Sequence, residues 1–309
     1  MKIRKIFLLL MLTLLLLSAC QPASPTPTGS PTILAIEPFL ADLVKNVAGD
    51  RLAMDSLIPS GLDPHAFEPT PQDVVRLSSA HIIVMNGAGL EAWLEPLLKN
   101  LSGGQQVLIA SAGLTPRTPQ PGEFPAGDQA AAAETDPHFW LNPLNAIRYV
   151  ENIRDGLIQA DSAGKDTYTA NAAAYIEQLK ALDTEIQAQV EQIPPARRLL
   201  VTNHESFGYF ADRYGFKIIG AIIPSVTTGA SPSARELAAL VDAIRASAAP
   251  AIFLETGSNP NLADQIAAET GVKVVTDLYT HSFSAPDGPA ATYLDMMRYN
   301  TSQIVDALK

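Results

Sequence analysis

The chain has 309 residues, 47% hydrophobic and 17% charged, which supports a packed core in one large domain or two smaller ones. Its formal net charge is −11, and three of the 21 basic residues lie in the first nineteen, which leaves 18 basic against 32 acidic residues. Such a chain argues against a nucleic-acid partner, which would need basic patches. Because Cys20 is the single cysteine, a disulfide within the chain and a site of several thiolates are both excluded.

The first nineteen residues have the organisation of a secretory signal peptide. A basic start precedes an apolar run at 6–17, shorter than the roughly 20 residues that a membrane-spanning helix needs. The ending Leu-Ser-Ala-Cys resembles a bacterial lipobox, in which cleavage leaves a lipidated Cys20. A plain signal peptide with an incidental cysteine is the alternative. The Pro-, Ser- and Thr-rich stretch that follows, within 20–31, predicts a tether between the membrane and the folded body.

From residue 32 the sequence alternates short apolar runs with helix-like segments. Eight runs are strand candidates, four on each side of a long polar segment: 33–36, 52–58, 82–85, 106–110, 199–202, 217–222, 251–254 and 272–276. This alternation predicts an α/β fold with parallel sheets flanked by helices.

The long segment at 143–192 is predicted to be almost wholly helical. Apolar residues recur at helical spacing from Tyr168 to Val190 and predict one helix over about 166–192, which Pro194 ends. We therefore predict two α/β lobes, at 32–165 and 193–309, joined by one long rigid helix. A single packed helix resists bending, so we expect little movement of the lobes.

The segment at 113–136 interrupts the alternation. It contains four prolines, a run of alanines and no clear period. Segments of this length without regular structure are usually functional or disordered, and we interpret this one as a mobile surface loop.

Three of the five histidines follow strand candidates. His65 follows the second strand, His138 the fourth and His204 the fifth, while Asp277 follows the eighth. Ligands of parallel sheets bind beyond the carboxyl ends of the strands, so these four side chains are predicted to converge, two from each lobe. Three imidazoles and one carboxylate supply the four donors of a tetrahedral Zn²⁺ shell.

Three motifs around these histidines carry a family resemblance. They read GLDPHAFEPT at 61–70, HFWLNP at 138–143 and VTNHESFGYF at 201–210. Together they resemble the zinc- and manganese-binding solute-binding lipoproteins of bacterial ABC importers, the cluster A-I or cluster 9 group, and the resemblance covers residues 32–309.

The resemblance implies a two-lobed fold with a linking helix, a permease and its ATPase as partners, and a ligand set of His65, His138, His204 and Asp277. Manganese-selective relatives often have glutamate at the third position. His204 therefore favours Zn²⁺, with Mn²⁺ as the alternative, because nitrogen donors suit zinc and oxygen donors suit manganese.

Two further residues are weaker candidates, and a third is interpreted as structural. Glu255, at the end of the seventh strand, is interpreted as a carboxylate that orients a ligand histidine or as an alternative ligand. His281 follows Asp277 on a predicted loop and is a second alternative ligand. His81 opens a core strand and is interpreted as structural.

Two other functions remain open from the sequence. A secreted zinc hydrolase would need an open coordination position, which Asp277 would close, and the sequence after His204 lacks the second histidine of a zincin helix. A binding protein for an organic solute would have the same two-lobed shape, and an adhesin role could accompany transport. We predict a monomeric binding protein, not an enzyme, anchored outside the cytoplasm.

Overall fold

The computed structural model describes residues 31–101, 103–117, 120, 123 and 135–309. The predicted signal peptide, Cys20 and nearly all of the tether lie outside these residues, as does most of the predicted loop at 113–136. Among the described helices, none combines the length and the hydropathy that crossing a membrane would require.

The first half of the chain forms a parallel sheet of four strands. These are β1 (Ile33–Ala35), β2 (Met54–Ser56), β3 (Ile82–Met85) and β4 (Gln106–Ile109), in the spatial order β2-β1-β3-β4. Helices α1 (Pro38–Ala48), α2 (Pro71–Ser79) and α3 (Glu95–Lys99) connect them. β1 and β3 are buried along their whole length, which explains why their sequences are continuously apolar.

Two helices follow the first sheet: α4 (Pro143–Ala160) and the 26-residue α5 (Lys165–Val190). The predicted helix at 166–192 agrees with α5 within two residues. A short 3-10 turn at Ser162–Gly164 separates α4 from α5, so the long segment predicted to be almost wholly helical contains two helices. A Cβ at Gly164 would overlap the side chains of Arg51 and Tyr168, so glycine permits the close packing of this turn.

The second half forms another parallel sheet of four strands. These are β5 (Leu199–His204), β6 (Lys217–Ile223), β7 (Ala251–Glu255) and β8 (Lys273–Leu278), in the order β6-β5-β7-β8. The helices of this half are α6 (Gly208–Tyr214), α7 (Ala234–Ser247), α8 (Asn261–Thr270) and α9 (Tyr293–Leu308). The predicted fold class, two parallel sheets flanked by helices, is confirmed, and all eight predicted strands are present, although β2 is shorter than predicted.

One hydrophobic core extends through both halves. Phe39 of α1 stacks on Trp140, with ring centroids 4.3 Å apart. Tyr293, at the start of the last helix, donates from its hydroxyl to the Trp140 carbonyl oxygen at 2.6 Å and from its backbone N–H to Asp42 at 3.1 Å. The last helix therefore packs against the first half of the chain, and the two lobes are joined by more than α5.

Candidate metal centre

Four histidines from both halves of the chain meet at the carboxyl ends of the strands. His65 lies on the loop after β2, His138 precedes the 3-10 turn at Phe139–Leu141, His204 is the last residue of β5, and His281 follows β8. Each offers a ring nitrogen within 4.8 Å of the others. The Nε2 atom of His138 lies 3.2 Å from Nε2 of His65 and 3.2 Å from Nε2 of His204.

The fourth member of this cluster is His281, and Asp277 lies outside it. Asp277 is exposed, and its carboxylate accepts a hydrogen bond from the Thr276 hydroxyl at 2.9 Å. The cause is a register shift between β7 and β8, which places Leu278 instead of Asp277 opposite Glu255. Asp277 takes a left-handed φ of 68° at this irregularity. The structure therefore does not bring Asp277 to the three histidines, and His281 lies beside them instead.

Glu255 orients both histidines of the second half. This carboxylate is 7% exposed; its Oε1 lies 2.6 Å from Nδ1 of His204, and its Oε2 lies 3.3 Å from Nδ1 of His281. Ser206 donates to Oε1 at 3.1 Å, and Thr280 donates to Oε2 at 2.5 Å. A carboxylate on Nδ1 fixes the ring and directs Nε2 toward the centre of the cluster, as in known metal sites.

The charge on Glu255 is stabilised by these neighbours. Burial acts to raise the pKa of this carboxyl, but the positive charge and hydrogen bonds of His204 and His281 hold it well below its usual value. The same two effects act on His204 in the opposite directions. Burial acts to lower the pKa of His204, but the negative charge of Glu255 and its hydrogen bond raise this pKa above its usual value. Glu255 and His204 therefore stabilise each other's charged form within the buried site.

The two histidines of the first half are neutral. Burial and the nearby imidazoles lower the pKa of His65 to about 2, and they hold the pKa of His138 well below its usual value. A neutral imidazole is the form that binds a metal ion, so both rings are available as ligands at neutral pH.

Both first-half histidines occur in an Asp-Pro-His sequence. The Oδ1 atom of Asp136 accepts the backbone N–H of His138 at 2.9 Å and also lies 2.9 Å from its Nδ1. Asp63 accepts the backbone N–H of His65 in the same way, at 2.9 Å. The sequence interpretation did not include Asp136, although the repeated Asp-Pro-His was a signal for it.

A buried polar network supports the chain just before His138. Asn86 donates from its side chain to the carbonyl oxygen of Pro137 at 3.1 Å, and the backbone N–H of Asn86 donates to Glu91 at 2.5 Å. The buried carboxyl of Glu37 faces Glu91. Burial and the repulsion by Glu91 raise the pKa of Glu37 well above its usual value, which favours the protonated form of this carboxyl.

A cavity of about 360 Å³ adjoins the cluster. Its wall includes Glu255 and His281, and residues of the first half, Gly61 to Asp63, face Thr228 of the second half across it. Most of the other lining side chains are neutral and polar. The cavity thus lies between the histidine cluster and the exposed loops of both lobes.

Residues 33–307 match the family model described as "Zinc-uptake complex component A periplasmic". The chain belongs to this family. Its relatives include the manganese-binding lipoprotein MntA of Halalkalibacterium halodurans, 32% identical over 273 residues, which are 87% of this chain and 86% of that protein. The iron-binding protein YfeA of Yersinia pestis is 32% identical over 266 residues, 86% of this chain and 82% of YfeA.

The periplasmic zinc-binding protein TroA of Treponema pallidum has the same fold. Its structure superposes with a TM-score of 0.79 at 27% identity, covering 91% of this chain and 99% of TroA. The zinc-uptake component A family thus has relatives named for zinc, manganese and iron, so membership alone does not determine the metal. These names describe metal-binding proteins, and none describes an enzyme.

Proposed function

We propose that the protein captures Zn²⁺ outside the cytoplasm through His65, His138, His204 and His281 and delivers it to an ABC importer. The observation that carries the proposal is the convergence of four ring nitrogens, two from each lobe. Four protein ligands are the number that fills a tetrahedral zinc shell.

The donor set supports zinc over manganese. All four donors are imidazole nitrogens, and imidazole suits Zn²⁺, whereas Mn²⁺ prefers carboxylate, carbonyl and water oxygens. The nearest carboxylates, Glu255 and Asp136, are engaged with Nδ1 atoms. Mn²⁺ stays the alternative because a relative, MntA, is named for it.

The same donor set argues against hydrolysis. A catalytic zinc keeps a coordination position for water, and a fourth histidine fills it. Two of the four rings, His138 and His204, are fully buried, which further limits access of a large substrate. Hydrolytic activity that disappears with a chelator would revive the enzyme alternative.

Delivery would require a permease and its ATPase as partners. Family membership supports this, and the name lipoprotein of MntA agrees with the sequence prediction of a lipid on Cys20. We propose a monomer held at the outer face of the cell membrane by this anchor and the tether at 20–31. Mass spectrometry of membrane-extracted protein should show a lipid adduct on Cys20, and an unmodified soluble product would contradict the anchor.

The metal assignment is tested by elemental analysis of the purified protein, followed by competition of Zn²⁺ and Mn²⁺ against a chelating dye after the metal is stripped. We expect one zinc per chain and tighter binding of zinc. His204→Glu should weaken zinc more than manganese, because it exchanges a nitrogen donor for oxygen. His81→Ala is the matched control, since His81 lies outside the cluster. Tighter binding of manganese by the parent protein would overturn the zinc assignment.

A further inference from the structure

In both Asp-Pro-His segments the aspartate accepts the backbone N–H of its histidine, but the two aspartates differ in their second contact. Asp136 holds both the backbone N–H and the ring of His138. Asp63 holds the backbone N–H of His65 with Oδ1, but its Oδ2 accepts a hydrogen bond from the hydroxyl of Thr228 in the other lobe. The second oxygen of Asp63 therefore connects a first-lobe histidine to the second lobe.

His65 has the weakest support of the four histidines. Its Nδ1 atom is buried, and among the described residues it has neither a hydrogen-bond partner nor a carboxylate within ion-pair distance. The other three have Nδ1 beside a carboxylate, and they are buried where His65 is half-buried. The position of the His65 ring thus depends on the backbone that carries it.

Thr228 is well placed to hold that backbone. Its loop follows β6 and is tied to the cluster, because the backbone N–H of Glu205, next to His204, donates to the carbonyl oxygen of Ser225 at 3.0 Å. Asp63 and Thr228 line the same cavity beside the cluster. The hydrogen bond between them therefore joins the two lobes at the wall of the cavity beside the cluster.

We propose that Asp63 is a positioning residue that holds His65 to the second lobe through its hydrogen bond with Thr228. When this hydrogen bond is lost, His65 is the first ligand to leave the metal, and the metal is released through the cavity. The inference rests on the proposed function. It concerns the rate of release, whereas the proposed function concerns what binds.

The expected effect follows from the strength of one hydrogen bond to a charged group. Its loss should accelerate release of the metal about tenfold, which corresponds to about 1.4 kcal/mol. The histidines themselves are unchanged, so the stoichiometry should stay at one metal per chain.

The test uses the full chain loaded with Zn²⁺ and measures release by stopped flow into an excess of chelating dye. Thr228→Val removes the hydroxyl and should give the tenfold acceleration. Thr228→Ser keeps the hydroxyl and should release at the parental rate. Ser231→Ala, on the exposed rim of the same cavity, is the matched control and should also behave as the parent.

A double-mutant cycle isolates the pair. Asp63→Ala should also accelerate release, and adding Thr228→Val to it should have no further effect, because the shared hydrogen bond is already gone. Additive effects of the two substitutions, or a parental rate for Thr228→Val, would overturn the proposal. A general loss of structure would lower the melting temperature of the metal-free protein and would not be rescued by Thr228→Ser. If the parent fails to bind zinc at all, it is the proposed function that is rejected.

Discussion

Substitution of His281 and of Asp277 distinguishes the histidine cluster from the ligand set that the family resemblance implies. The ring of His281 is 8% exposed and Nε2 has no hydrogen-bond partner among the described residues, as expected for a ligand atom. Asp277 is exposed and interacts locally with Thr276. We therefore expect His281→Ala to weaken zinc strongly and Asp277→Ala to leave it nearly unchanged.

The size of the loss can be worked from the number of ligands. Four-ligand structural zinc sites bind with about 10–16 kcal/mol, so one ligand contributes on average about 2.5–4 kcal/mol. Each 1.4 kcal/mol is a factor of ten, so His281→Ala should weaken zinc about 100- to 1,000-fold. His281→Asp should keep four ligands and shift the ratio of affinities toward manganese, because it adds an oxygen donor.

The assay is competition of each variant with a chelating dye at neutral pH, with Zn²⁺ and Mn²⁺ in parallel. His81→Ala serves as the control, because His81 bonds to Thr32 away from the cluster. A larger loss for Asp277→Ala than for His281→Ala would refute the register of β8 and restore the carboxylate as the fourth ligand.

Glu255→Gln should weaken zinc about 10- to 100-fold in the dye competition, because it removes the charge that orients two ligand rings, and an unchanged affinity would show that Glu255 is not needed for this. Because the pKa of Glu37 is raised in the folded protein, its contribution to stability is complete below its usual pKa and is lost as pH rises toward the folded value. Glu37→Gln should flatten that pH dependence of the melting temperature, because an amide does not titrate, and a slope equal to that of the parent would show that Glu37 is not its source. Solution scattering of the stripped and zinc-loaded protein should give nearly equal radii of gyration, because α5 and the shared core hold the lobes, and a clear compaction would be inconsistent with a rigid linking helix.

The sequence was sufficient for the strands and for three of the four clustered histidines, and it offered the fourth, His281, as an alternative ligand. Apolar runs in fully buried parallel strands are easy to recognise, and their carboxyl ends define one edge of each sheet. Which side chain joins the cluster after β8 depended on a shift of one residue in the pairing of β8 with β7. With regular pairing Asp277 would lie opposite Glu255, but the shift in β8 puts Leu278 there and brings His281 into the cluster.

Interactions between segments far apart in the chain could not be predicted from the sequence either. The bond of Asp63 to Thr228 joins residues 165 positions apart, and no periodicity predicts it. At the break before α5, Arg51 from the first half of the chain likewise packs over Gly164. Periodicity describes which face of an element is buried, whereas these contacts depend on how the elements are assembled.

The return of α9 to the first half of the chain limits how this protein could be engineered as a zinc sensor. Tyr293 bonds to both Trp140 and Asp42, so a cut between the lobes would expose the shared core. A pair of dyes placed on the two lobes would report little, because their separation is fixed by that core. A single dye on the exposed Leu62, next to the Asp63–Thr228 bond, would sit on the segment that moves when the ion leaves.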